Sequence, residues 1–149
     1  MIPEGSLGDE VLKELYGLEI PALERRGEYI PNCISFDPLL AWTVEDDIQE
    51  LAALLKVRLC PIGIAGRSMA FILLADTGHL LLMGIAEFGV LLEGNSLEAG
   101  MSRILHGESG DSLLFSEAPE SRLASVHLTA PGKEPIAIGP EGIRGISGR

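Results

Sequence analysis

The sequence predicts an α+β domain in which helices pack around a mostly antiparallel sheet. Three observations lead to that class. Two apolar runs, Ala70-Phe71-Ile72-Leu73-Leu74 and His79-Leu80-Leu81-Leu82-Met83, flank an Asp76-Thr77-Gly78 turn, the pattern of a hairpin with glycine at positive φ. Both runs are apolar at nearly every position instead of alternating, so both faces of these strands need cover from helices, from a partner or from the tail. Amphipathic helical patterns stand on either side of the hairpin in sequence, over Val44–Val57 and from Asn95 to His106.

The elements follow in order. Gly8 to Tyr16 carries a short helical pattern with Val11, Leu12 and Leu15 on one face and Asp9 and Glu10 in the first turn, and Gly17 stops it. Leu18-Glu19-Ile20-Pro21 and Tyr29 through Ile34 are strand candidates joined by an Arg25-Arg26-Gly27-Glu28 loop. Phe36-Asp37-Pro38 reads as a turn. In the helix Val44–Val57, Thr43 is the expected N-cap, and Glu45, Asp46 and Asp47 sit at the positive end of the dipole. Lys56 and Arg58 lie at the negative end, and Val44, Ile48, Leu51 and Leu55 recur at helical spacing. Arg58 to Ile62 is a strand ending near Gly63, and Phe88 to Leu92 supplies a third strand beside the hairpin. Asn95 with Glu98 has the form of a capping box, and Gly107 is a natural helix stop.

Residues 1–107 therefore form the α+β unit. Residues 108–149 are a Gly-, Pro- and Ser-rich extension with short strands at Ala124–Thr129 and Pro135–Ile138, and the end from Gly139 reads as mobile.

Composition narrows function. With 149 residues, 46% of them apolar, the chain can build one real core. The net charge of −11, from 22 acidic and 11 basic residues, repels phosphate backbones and anionic lipid heads, so neither nucleic acid nor membrane is an expected partner. No apolar run reaches the length of a membrane span. Met1-Ile2-Pro3-Glu4-Gly5 lacks the basic and apolar regions of a signal peptide, and the cytoplasm is the expected compartment. Cys33 and Cys60 have no metal-type spacing and read as buried thiols in a reducing compartment, with a disulfide between them as the alternative.

Several landmarks, taken in order, resemble the SUKH superfamily of bacterial immunity proteins, in particular its third subfamily. Leu15-Tyr16-Gly17-Leu18 is similar to the family's aromatic-Gly-Gly-Leu element after a helix. Phe36-Asp37-Pro38 with Ala41 follows, then Leu59-Cys60-Pro61-Ile62-Gly63, which looks like its Pro-hydrophobic-Gly strand end. Asp76 with Gly78 and the closing helix Ala99 to Gly107 complete the set. The resemblance covers about residues 8 to 107 and is to a member shortened at its N-terminus, without the usual Gly-Trp helix. It implies a SUKH-like fold and neutralisation of a protein toxin, often a nuclease or deaminase, by direct binding.

Candidate chemistry is sparse. Gly110-Asp111-Ser112-Leu113 spells the nucleophile block of GDSL-type esterases, which would need Ser112 beside a base and an oxyanion hole. No aspartate stands three residues before His127. His79, His106 and His127 form no HxH, HxxxH or HExxH pair, so no metal is expected. Gly63-Ile64-Ala65-Gly66 lacks the Lys-Ser/Thr ending of a phosphate loop. No catalytic residue and no cofactor are assigned. The expected function is that of an immunity protein, not an enzyme, with Glu45, Asp46, Asp47 and Glu50 steering a basic toxin. The alternatives are a structural or regulatory interaction module, homodimeric through its apolar sheet, and, more remotely, a small GDSL-like hydrolase.

Overall fold

The computed structural model describes residues 2–27, 30–66, 70–84, 89–108, 110–115 and 134–145. Helix α1, Leu7–Leu15, starts at Ser6, whose Oγ accepts the Asp9 N–H at 3.1 Å. Strand β1, Glu19–Ile20, pairs with β2, Ile34–Ser35, and a six-residue 3-10 turn, Leu39–Val44, runs straight into α2, Glu45–Leu55. Four longer strands follow: β3 Leu59–Ala65, β4 Ala70–Ala75, β5 Leu80–Gly84 and β6 Val90–Gly94. Helix α3, Leu97–His106, precedes β7, Asp111–Phe115, and β8, Ile136–Ile138, and a 3-10 turn at Gly142–Gly145 comes last.

The eight strands lie in chain order across one sheet, antiparallel at every pairing except the last, where β8 runs parallel to β7. The expected α+β class, a mostly antiparallel sheet with helices around it, is what the chain adopts.

Strand periodicity sorts the central side chains into two cores. Phe71, Leu73 and Ala75 of β4, with Leu81 and Met83 of β5, meet Ile48, Leu51 and Leu55 of α2. Ala70, Ile72 and Leu74, with Leu80 and Leu82, face Leu12 of α1 and Ile104 and Leu105 of α3. The continuous apolar runs thus have their reason: helices cover both faces. Each fully buried leucine contributes on the order of 2 kcal/mol by leaving water.

Several expectations shift. Strand β3 does not end at Gly63 but continues to Ala65 through a bulge between Pro61 and Gly63. A Cβ on Gly63 would lie 2.2 Å from the Ser35 carbonyl oxygen, so glycine lets β2 approach. The strand expected over Tyr29–Ile34 is displaced to Ile34–Ser35, because the Asn32 N–H donates to the Ile104 carbonyl at the end of α3 instead of to a neighbouring strand.

The N-cap of α2 is Val44, not Thr43, and no side chain caps it. The preceding 3-10 turn already offers carbonyls to the first helical N–H groups. Ser96, not Asn95, caps α3, its Oγ accepting the Ala99 N–H at 3.1 Å. Gly78 and Gly107 take the positive φ their turns require, +94° and +73°.

The described parts of the segment beyond Gly107 join the same core. Leu113, Phe115, Ile138 and Ile143 are buried on the α2 side. Pro135–Ile138 is borne out as a strand at Ile136–Ile138, whereas Ala124–Thr129 falls outside the described residues. Residues 142–145, expected as part of a mobile end, are packed with Ile143 fully buried.

Candidate functional site

The start of α2 gathers the acidic residues singled out in the sequence. Glu45, Asp46 and Glu50 are exposed and Asp47 is half-buried. Ile48, Leu51 and Leu55 take the buried side of the helix, which turns Asp46 and Glu50 outward. These two stand four residues apart on one face, where like charges cost a helix about 0.2–0.5 kcal/mol. Asp46 recovers part of this from the helix dipole, but Glu50 lies beyond the first turn. Between Arg26 and Lys56 the chain carries no lysine or arginine.

Trp42, the sole tryptophan, precedes this helix and was not singled out from sequence. It is 68% exposed, and Leu39 is 58% exposed. In a 3-10 helix residues i and i+3 eclipse, so Leu39 and Trp42 form one ridge. Buried chain neighbours and local hydrogen bonds anchor the turn. Ala41 and Phe36 are fully buried, the Asp37 Oδ1 accepts the Leu39 N–H at 3.0 Å, and the Pro38 carbonyl accepts the Ala41 N–H at 3.0 Å. Exposed Tyr16 and Leu18 belong to a backbone segment bonded to Phe36 from both sides, the Gly17 N–H donating to its carbonyl and its N–H to the Leu18 carbonyl. The signal missed in sequence was Trp42 itself, which reads as one more core aromatic in Leu39-Leu40-Ala41-Trp42 until the 3-10 turn sets its phase.

The opposite end of α2 holds a cleft of about 700 Å³ floored by Ile48, Ala52 and Leu59 and edged by Lys56, Arg58 and Arg144. Its two arginines already serve the fold. Arg58 Nε donates to Asp76 Oδ2 at 2.5 Å, and Arg144 Nη1 to the Lys56 carbonyl at 3.0 Å.

The hydrolase reading finds no support. Ser112 lies inside β7 opposite Leu91, 3% exposed, and its Oγ has no hydrogen-bond partner among the described residues. A nucleophile needs a base in reach. His106 Nδ1 instead lies 2.7 Å from the Glu24 carbonyl, and the Arg26 guanidinium meets both ring nitrogens. His79 Nδ1 lies 2.6 Å from Thr77 Oγ1, and burial holds its pKa below the ordinary value. His127 is outside the described residues.

The Arg25-Arg26-Gly27 loop has a structural task. Its Arg26 N–H and the Leu23 N–H donate to the His106 and Leu105 carbonyls at the end of α3.

Among the described residues no group of histidine, cysteine and acidic side chains could hold a metal ion, and no helix is long and apolar enough to cross a membrane. Both cysteines are free thiols. Cys33 is exposed, against expectation, and lies beside Gly66 at the sheet margin. Cys60 is buried as expected, which pushes its thiol up to about 11. Comparison with family models, with curated proteins and with solved structures finds no match for this chain.

Proposed function

We propose that this chain is an immunity protein of SUKH type that neutralises a basic bacterial toxin, such as a nuclease or deaminase, by docking against it in the cytoplasm. The single observation that carries this reading is the rigid, solvent-facing apolar ridge of Leu39 and Trp42 set beside an acidic helix start. Aromatic anchors ringed by charge are the usual energetic centres of protein interfaces, and acidic residues around them speed encounter with a basic partner. The order of sequence landmarks from Leu15 to Gly107 supports the SUKH assignment.

Glu45, Asp46, Asp47 and Glu50 steer the toxin, while the covered sheet serves as scaffold. Neutralisation by occlusion requires no bond-breaking group in this chain. The test is co-expression with the product of each toxin-like neighbouring gene. Protection of the cells together with co-purification of the pair is the expected result, and neither appearing with any neighbour removes the proposal.

A further inference from the structure

Resting on the reading of this chain as a binding protein, we infer that the Leu39–Trp42 ridge is the anchor of the interface and receives a lysine- or arginine-bearing segment of the partner, with one cation over the indole face of Trp42. Tryptophan is highly buried on average, so an indole 68% exposed is a departure that calls for an occupant. The ridge is tethered by the fully buried Ala41 within its own turn and by the Asp37 hydrogen bond at its start, so little order is lost on binding.

Charge selects the occupant. Asp37, Glu45, Asp46, Asp47 and Glu50 surround the ridge in sequence, with no lysine or arginine between Arg26 and Lys56. An indole face attracts cations, arginine more often than lysine, and Trp is the best acceptor among the aromatic side chains. A second copy of this chain would set acid against acid, and an anionic membrane would be repelled.

Because Trp42 is the only tryptophan, its fluorescence reads the ridge directly. The probes are short peptides of alternating arginine and glycine, lysine and glycine, and glutamate and glycine, added to the full chain. Both cationic peptides shift and quench the emission saturably, and the glutamate peptide leaves it unchanged. By calorimetry Trp42→Leu, which keeps apolar bulk without a π face, weakens the arginine peptide roughly tenfold, while Trp42→Phe keeps most of the affinity. The double change Asp46→Asn with Glu50→Gln weakens it by a similar factor, and far-UV spectra confirm that each variant is folded.

Equal affinity of Trp42→Leu and wild type, or an emission that no cationic peptide moves, overturns the inference. So does a change of emission with protein concentration alone that sedimentation traces to a dimer. A co-purifying toxin that binds Trp42→Leu as tightly as wild type overturns it while leaving the immunity reading in place. A peptide response at Trp42 with no toxin neutralised does the reverse.

Discussion

The two ends of α2 are finished in opposite ways. At the C-terminal end the chain closes on itself. Lys56 adopts the left-handed conformation at φ 57°, its N–H and that of Val57 return to the Ala53 and Ala52 carbonyls, and Arg144 donates to the Lys56 carbonyl. Gly142 lies against Leu55 so closely that a Cβ would stand 2.2 Å from its carbonyl oxygen. At the N-terminal end there is no side-chain cap hydrogen bond, Asp46 and Glu50 are exposed, and Trp42 and Leu39 stay in water. One end is committed to folding, and the other is the one we propose to meet a partner. Such a division predicts that substitutions at the two ends separate cleanly into stability effects and binding effects.

The largest effect that would sharpen this comparison is expected at Gly142. Its φ of +68° and its contact with Leu55 exclude a side chain, so Gly142→Ala should cost about 2–3 kcal/mol, read as a lower urea midpoint with an unchanged slope. A neutral result would mean that the tail does not close α2.

Lys56→Gly should move the other way. Glycine is the preferred residue where a helix ends in the left-handed region, and the change should stabilise the domain by about 0.5–1 kcal/mol. Destabilisation would show instead that the Lys56 stem, packed near Gly142, matters more than the backbone strain.

A smaller effect at the same end is gated by pH. Burial holds the His79 pKa below its ordinary 6.5, so the unfolded chain takes up the proton first as pH falls. The stability contribution is complete above 6.5 and is lost as pH drops from there through the folded-state pKa. Denaturant midpoints of wild type and His79→Gln should converge on acidification, and parallel profiles would remove histidine burial as the cause.

Trp42→Ala is expected to have the smallest effect on folding. The side chain is 68% exposed, so stability should stay within about 0.5 kcal/mol of wild type. A loss of several kcal/mol would place Trp42 with the folding end of the helix and break the division.

How far the sequence foretold these features depended on the kind of signal. Gly78 and Gly107 announced their turns because few other residues accept positive φ. The unbroken apolarity of Ala70–Leu74 and Leu80–Met83 announced a sheet covered on both faces because strand periodicity leaves no other way to bury it. Ser96 escaped notice because Asn95 beside it is an equally good cap, and one residue of phase decides between them. Thr43 misled because a 3-10 turn replaced the cap, a choice no propensity encodes. Lys56 as the left-handed residue was invisible, since lysine has no such preference. Of the candidate site, the acids were legible as a cluster, but the exposure of Trp42 depended on the rotation of one short turn. Ser112 shows the converse case, a four-letter motif whose serine lies buried inside β7 with no hydrogen-bond partner for its Oγ among the described residues.

The most direct measurement is the emission of Trp42 when a neutralised toxin is added to the intact chain. A shift that saturates at one toxin per chain is predicted, with the shift lost when Asp46 and Glu50 are neutralised at physiological salt. A complex that forms by co-elution while the indole emission stays where it was in free solution would contradict the account.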